Sequence, residues 1–195
     1  MEFVEKIVSR RFFIILFFLV LSLFIINRLG ASKNGYSIGD IGPAGGIVFY
    51  DKGDNSDGWR YMEAAPKAVG RAVWGCYRYS MGGTGGKTVG TGRENTINHV
   101  EHCSEKIFAA KMAHSYRGGG KDDWFLPSKD ELEMIYTNLI SKGLIENENH
   151  HYWSSTSYSI HYAWNIATYE RNKGKQYYWG KYNAFYVMPV RYFSE

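Results

Sequence analysis

The sequence predicts an α+β fold, and three observations carry the prediction. An antiparallel hairpin is written early, over Gly46–Tyr50 and Trp59–Ala64, joined by an Asp/Gly/Asn/Ser turn cluster at 51–58. A capped helix is written in the middle, where Ser128 and Glu131 form an S-x-x-E capping box just after Pro127. Short aromatic strands fill the end. Hairpin, helices and then strands is an α+β order, and no 20–50-residue period suggests a repeat.

Between hairpin and capping box, the Gly- and Thr-rich residues 80–92 read as a surface loop. A first helix is expected over 96–114, capped by Asn95, with an apolar stripe of Ile97, Val100, Cys103, Ile107 and Ala110. The second helix presents Leu132, Ile135, Tyr136 and Leu139 on one face and stops at Gly143. Tyr162, Trp164 and Ile166 alternate with Ala163, Asn165 and Ala167, as in a strand. Phe185–Phe193 reads as the last strand, interrupted by Pro189, which favours an edge or bulge there.

The N-terminus is different in kind. Phe12–Ile26 is apolar except for Ser22, and Lys6, Arg10 and Arg11 precede it. A basic segment before a short apolar run is the mark of an export signal. As a helix the run reaches about 22 Å, short of a ~30 Å hydrocarbon core, although flanking residues extend it. Residues 1–31 are therefore expected to be a signal peptide or membrane anchor, 32–40 a linker, and 41–195 the folded domain. Cleavage and retention both fit, giving a protein anchored in the inner membrane and facing the periplasm, or a periplasmic or cell-surface one. In an oxidising compartment, Cys76 and Cys103 are candidates for one disulfide; two buried free thiols are the alternative.

Charge excludes one class of partner. The chain is +4, but 1–31 holds four basic and two acidic residues, leaving 19 basic and 17 acidic beyond it. Without a Lys/Arg stripe, nucleic acid is not an expected partner. The positive signal is aromatic. From Asn149 to Glu195, fourteen of 47 residues are aromatic and nine are Tyr, interleaved with Asn, Ser, Thr and His. Tyr offers contact area at low entropic cost, plus a hydroxyl, so this mixture suits recognition. Tyr158, His161, Tyr162, Asn165, Tyr169, Asn172, Tyr177, Tyr178 and Tyr182 are the candidate ligand-binding residues. Trp59, Trp124, Trp153 and Trp164 are assigned to the core.

Four blocks resemble a known family: Asp40–Tyr50 (DIGPAGGIVFY), Asp57–Tyr61 (DGWRY), Asp123–Ser128 with Glu131-Leu132, and Tyr152–Ser155 closing with Pro189-Val190-Arg191. Together, over about 36–193, they resemble the C-terminal domain of a bacterial collagen-like adhesin, the Lcl C-terminal domain. The resemblance implies a C-type-lectin-like domain on an exported protein, with two helices flanking small twisted sheets and ligand contacts from late strands. No collagen-type repeat precedes the domain, so collagen-based trimerisation is not implied. The Tyr/Asn/Ser-rich end is also similar to variable proteins of diversity-generating retroelements, which implies diversification there.

Competing chemistry is weakly written. Gly82–Thr88 lacks the first glycine of a P-loop, since Met81 stands there, and a flexible surface loop accounts for it. His99, His102 and Cys103 lack H-E-x-x-H spacing, so no metal is expected, and exposed histidines beside a structural cysteine account for them. Trp164-Asn165 is not followed by Asp, and no Glu-Pro-Asn occurs, which disfavours calcium-dependent sugar binding. No nucleophile–base set is evident. The expectation is a cell-envelope binding module, neither an enzyme nor cofactor-bearing. Its ligand would be an extracellular glycan, glycosaminoglycan or protein, and its N-terminal segment would contact the membrane. The competing readings are a structural envelope domain and a lectin-fold enzyme related to formylglycine-generating oxidases.

Overall fold

A computed structural model describes residues 35–194. The chain divides between Gly35 and Tyr36. The expected signal or anchor at 1–31 lies outside the described residues, as do residues 32–34 of the linker. Among the described residues, no helix is long and apolar enough to cross a membrane.

Among the described residues the fold is α+β, with two small sheets and three α-helices. Strands β1 (Ile47–Asp51), β2 (Tyr61–Ala64) and β3 (Gly70–Val73) come first. Helices α1 (Gly92–His102), α2 (Ala109–His114) and α3 (Lys129–Asn138) follow. The last five strands are β4 (His151–Ser157), β5 (Tyr162–Ala167), β6 (Gln176–Gly180), β7 (Ala184–Val187) and β8 (Val190–Phe193). The sheet orders are β1-β2-β8 and β3-β7-β4-β5-β6. The expected hairpin is present as antiparallel β1 and β2, with a register shift between Val48 and Tyr50.

The α3 capping box forms as written. Ser128 Oγ accepts from Glu131 N–H at 3.3 Å, and Glu131 Oε2 accepts from Ser128 N–H at 2.7 Å. A cap of this kind is worth about 1 kcal/mol. Leu132, Ile135 and Leu139 are buried, and Gly143 takes the left-handed conformation (φ 67°) that ends the following 3-10 turn.

Two expectations need correction. The single helix over 96–114 is two helices, because Cys103 turns extended (φ −98°, ψ 115°) where it meets Cys76. The cap is Thr91 rather than Asn95, and the buried stripe of α1 is Gly92, Asn95, Thr96 and His99. Ile97 and Ile107 face solvent. The stripe is polar because it hydrogen-bonds to loops. Asn95 Nδ2 donates to Gly86 O (2.7 Å), and Thr96 Oγ1 accepts from Leu126 N–H (3.0 Å). Likewise, Phe185–Phe193 is two strands in different sheets, with Pro189 at the crossing.

Two clusters form most of the core. One gathers Phe49, Met62, Trp124, Leu132, Tyr152 and Val190; the other gathers Trp74, Phe108, Leu126, Trp153, Phe185 and the Cys76–Cys103 bridge. A buried ion network ties β2 to β8. Arg191 donates from Nη1 to Glu63 Oε1 (2.8 Å) and from Nε and Nη2 to Asp123 (2.7 and 2.8 Å). The Glu63 carboxylate also accepts from Gly46 N–H (2.8 Å), and a Cβ at Gly46 would lie 2.6 Å from Ala64 O. The Gly-rich block at 42–46 is thus a tight wrap around a buried carboxylate.

Candidate functional site

The late strands expose rings because β5 and β6 lie at the open side of the five-stranded sheet. Their antiparallel register sets Trp164 opposite Tyr178 and Ala163 opposite Trp179. Period-2 alternation then sends Trp164 and Tyr178 to one face, and Tyr177 and Trp179 to the other. The candidate residues therefore do not form one patch; they fall into three groups.

The first group is an aromatic platform. Tyr158 and Tyr178 stack with centroids 4.1 Å apart and planes 6° from parallel, and each is about half exposed (49% and 48%). Tyr162 and Trp164 meet Tyr178 edge-on at 5.9 and 5.7 Å. The β4–β5 turn that presents Tyr158 is pinned, since Tyr158 N–H donates to Tyr162 O (3.0 Å) and Ser159 Oγ accepts from Tyr162 N–H (3.2 Å). Lys87 and Lys129 place their ammoniums 5.8 and 5.2 Å from the Trp164 ring. Trp164 is half-buried rather than core, and its Nε1–H has no partner among the described residues.

The second group is structural. Tyr177 OH donates to Asn172 Oδ1 (2.9 Å), and Asn172 Nδ2 donates to Tyr169 OH (2.8 Å), which closes the loop between β5 and β6. Asn165 is buried, not at the surface. Its Oδ1 meets His151 Nδ1 at 2.7 Å, and its Nδ2 donates to Tyr177 O at 3.2 Å. A half-buried sheet face satisfies the amide internally, so Asn165 leaves the candidate surface. Burial also lowers the His151 pKa, partly offset by the Asn165 bond.

The third group lies at the end of the sheet. His161 and Tyr182 pack against Tyr77 at 5.4 and 5.2 Å, with Tyr182 well exposed. Tyr77 follows the Cys76–Cys103 bridge, and Arg78 N–H donates to Ile160 O (2.9 Å). Sequence reading missed Tyr77, because a ring that follows a cysteine in a loop carries no periodic signal.

The Gly-rich segment is anchored, not a free loop. Thr156 Oγ1 donates to Gly86 O (2.7 Å), Asp130 N–H donates to Lys87 O (3.0 Å), and Gly90 N–H donates to Glu131 Oε1 (2.8 Å). These bonds hold Lys87 beside Trp164. Burial raises the Glu131 pKa, although the N–H donors of Ser128 and Gly90 pull it back.

A second concavity was not foreseen. Trp59, expected in the core, is half-buried at its margin; it stacks on Tyr192 (4.4 Å, 18°), and the pair floors adjoining cavities of about 500 and 440 Å³. Arg93 lines both; Lys121, Asp123 and Arg191 line the smaller. Burial pushes the Asp123 carboxyl up, but Arg191 overcomes this and holds it below the usual carboxylate value. Tyr192 OH donates to Glu131 Oε1 (2.9 Å), fixing the floor.

His99 is not exposed, contrary to expectation. It packs against Trp74 and Phe108 (4.0 and 4.7 Å), and burial first, with nearby Lys181 second, takes its pKa to about 3. Lys181 is also fully buried, its Nζ 4.3 Å from the Trp74 ring, and desolvation lowers its pKa to about 8. Cys76, Cys103 and Glu105 are the described residues whose ligand atoms cluster closely enough for a metal, but both sulfurs are spent in the disulfide.

A family model described as the Lcl C-terminal domain matches residues 73–191. The match runs from the end of β3 into β8 and includes all three ring groups. No curated protein matches the chain.

Proposed function

The chain belongs to the Lcl C-terminal domain family, and from that membership we propose an exported cell-envelope binding module that captures its ligand on the aromatic platform. Domains of this family are associated with exported proteins. Within this reading, 1–31 delivers or tethers the protein, and 41–195 is a C-type-lectin-like domain that carries no cofactor and performs no catalysis. The ligand is an extracellular glycan, glycosaminoglycan or protein, and diversification of the Tyr-rich end would alter which one.

One observation carries the proposal: the solvent-facing stack of Tyr158 on Tyr178. Two phenols held parallel and about half exposed bury less of their area than a core pair, so they add less to stability. Such rings are suited to stack on a sugar or side chain. The exposed Lys87 ammonium beside Trp164 supplies a donor to an acceptor-rich ligand, while Lys129 is paired with Asp130 (3.3 Å).

The test uses the full chain in mild detergent on glycan, glycosaminoglycan and protein arrays. Replacing Tyr158 and Tyr178 together by Ala should abolish capture while the melting temperature stays within about 3 °C, since exposed substitutions cost within about 0.5 kcal/mol each. Unchanged capture would refute the assignment. A fall in melting temperature like that of a core variant would favour a purely structural domain. Turnover of any captured compound would favour an enzyme.

A further inference from the structure

β6 ends the five-stranded sheet, and its outer side has no strand beside it. The phase of its hydrogen bonds is fixed at both ends: Lys181 N–H donates to His161 O, and Ala167 N–H donates to Lys175 O, each at 2.9 Å. With β6 in this register, Tyr177 and Trp179 must bond inward to β5. The N–H and C=O groups of Gln176 and Tyr178 therefore point outward. Among the described residues no backbone group pairs with them.

Sheet proteins commonly guard such an edge with lysine, proline or a bulge. Gln176–Gly180 (QYYWG) contains neither lysine nor proline, and its register with β5 is unbroken. Instead it offers a ring on each face, Tyr178 and Trp179, both nearly half exposed. Charge indicates what fits. Lys87 and Lys175 are exposed, and neither has a carboxylate partner among the described residues, whereas the nearby acids are engaged: Glu170 by Lys173 (3.0 Å) and Glu133 by the Gln176 side chain (3.3 Å). A second copy of the chain would bring like charges together; an acidic strand would be drawn in.

We propose that β6 accepts an extended acidic peptide segment as an added strand. Its backbone pairs with Gln176 and Tyr178, its side chains lie alternately against Tyr178 and Trp179, and its carboxylates on the Tyr178 face meet Lys87, with Lys175 on the Trp179 face by strand parity. This deepens the binding reading above and rests on it.

The test uses the full chain in detergent and a synthetic peptide alternating glutamate and valine, with a lysine–valine peptide as control. The acidic peptide should slow amide exchange at Gln176 and Tyr178 and bind about tenfold tighter than the basic one. Tyr178→Pro removes an outward N–H, a change edge strands tolerate, and should abolish binding. Tyr178→Ala keeps that N–H and should retain binding, weakened. Absence of protection, equal affinity for both peptides, or unchanged binding by Tyr178→Pro would overturn strand addition. Concentration-dependent protection without peptide, with doubled mass by light scattering, would assign the edge to a second copy and overturn it too. If the peptide fails while Tyr158→Ala still abolishes array capture, strand addition falls and the aromatic platform stands. If the peptide binds as expected while Tyr158→Ala leaves array capture intact, the platform falls and strand addition stands.

Discussion

Removing Arg191 should leave a buried carboxylate half-satisfied. Its guanidinium makes one bond to Glu63 and two to Asp123, and these partners differ in environment. The Glu63 side chain is 0% exposed and that of Asp123 is 35% exposed. In Arg191→Met, water takes over at Asp123, a loss of at most about 1 kcal/mol. Glu63 keeps the N–H of Gly46 at 2.8 Å and longer contacts from Ala44 at 3.2 and 3.3 Å, with no counter-charge from Arg191. Breaking one partner of a buried pair costs about 3–5 kcal/mol, a large share of the ~5–15 kcal/mol that holds a domain folded. Urea unfolding followed by Trp fluorescence should show a loss of about 4 kcal/mol, and the melting temperature should fall by roughly 8–16 °C. The double variant Glu63→Gln with Arg191→Met removes the orphaned charge and should recover half or more of that loss. A single variant within about 1 kcal/mol of the parent, or a double variant no better than the single, would refute the reasoning.

Other perturbations test separate parts of the molecule. Lys181 has a folded pKa of about 8 against 10.5, so its desolvation penalty is fully present below pH 8 and relieved as pH rises toward 10.5. Lys181→Met should therefore stabilise the protein at pH 7 by about 1–3 kcal/mol, and a destabilised variant would show that the contact with Trp74 outweighs desolvation. His99, lowered from 6.5 to about 3, contributes stability above pH 6.5 that is lost as pH falls toward 3. From pH 7 to 4.5 that is about 2–3 kcal/mol. His99→Leu should have a flatter acid limb, and parallel limbs would contradict this. Reducing Cys76–Cys103, which are 27 residues apart in sequence, should cost about 3.5 kcal/mol in the chain-entropy account. Calorimetry with and without reductant measures it, and coincident transitions would mean the bridge is energetically idle.

What the sequence disclosed was whatever is local. The Ser128–Glu131 box is a four-residue pattern and formed as written. So did the hairpin, whose turn lies wholly between its strands. Apart from the α1 cap, which is Thr91 and not Asn95, the failures were long-range. The buried stripe of α1 is Asn95, Thr96 and His99, which no hydrophobic period reveals, because the first two face loop backbone. Ile97 was expected inside for the converse reason. Pro189 was visible, but not that it hands the chain from one sheet to the other. At the candidate surface, Tyr158, Tyr162 and Tyr178 converge because β5 and β6 pair in a register that composition does not set. Asn165 looked like its neighbours, yet strand parity turns it inward to His151. The Trp59–Tyr192 stack joins residues 133 positions apart, beyond any spacing rule.

Tyr36 packs edge-on against Phe193 at 5.0 Å and against Tyr61 at 5.4 Å. The folded unit is therefore entered and left at a common pole. Such a unit can be spliced into a host polypeptide as a cassette without stretching either junction. Its own ends can be sewn together and reopened at the exposed Asp54–Asp57 turn, giving a permuted chain that keeps the same interior.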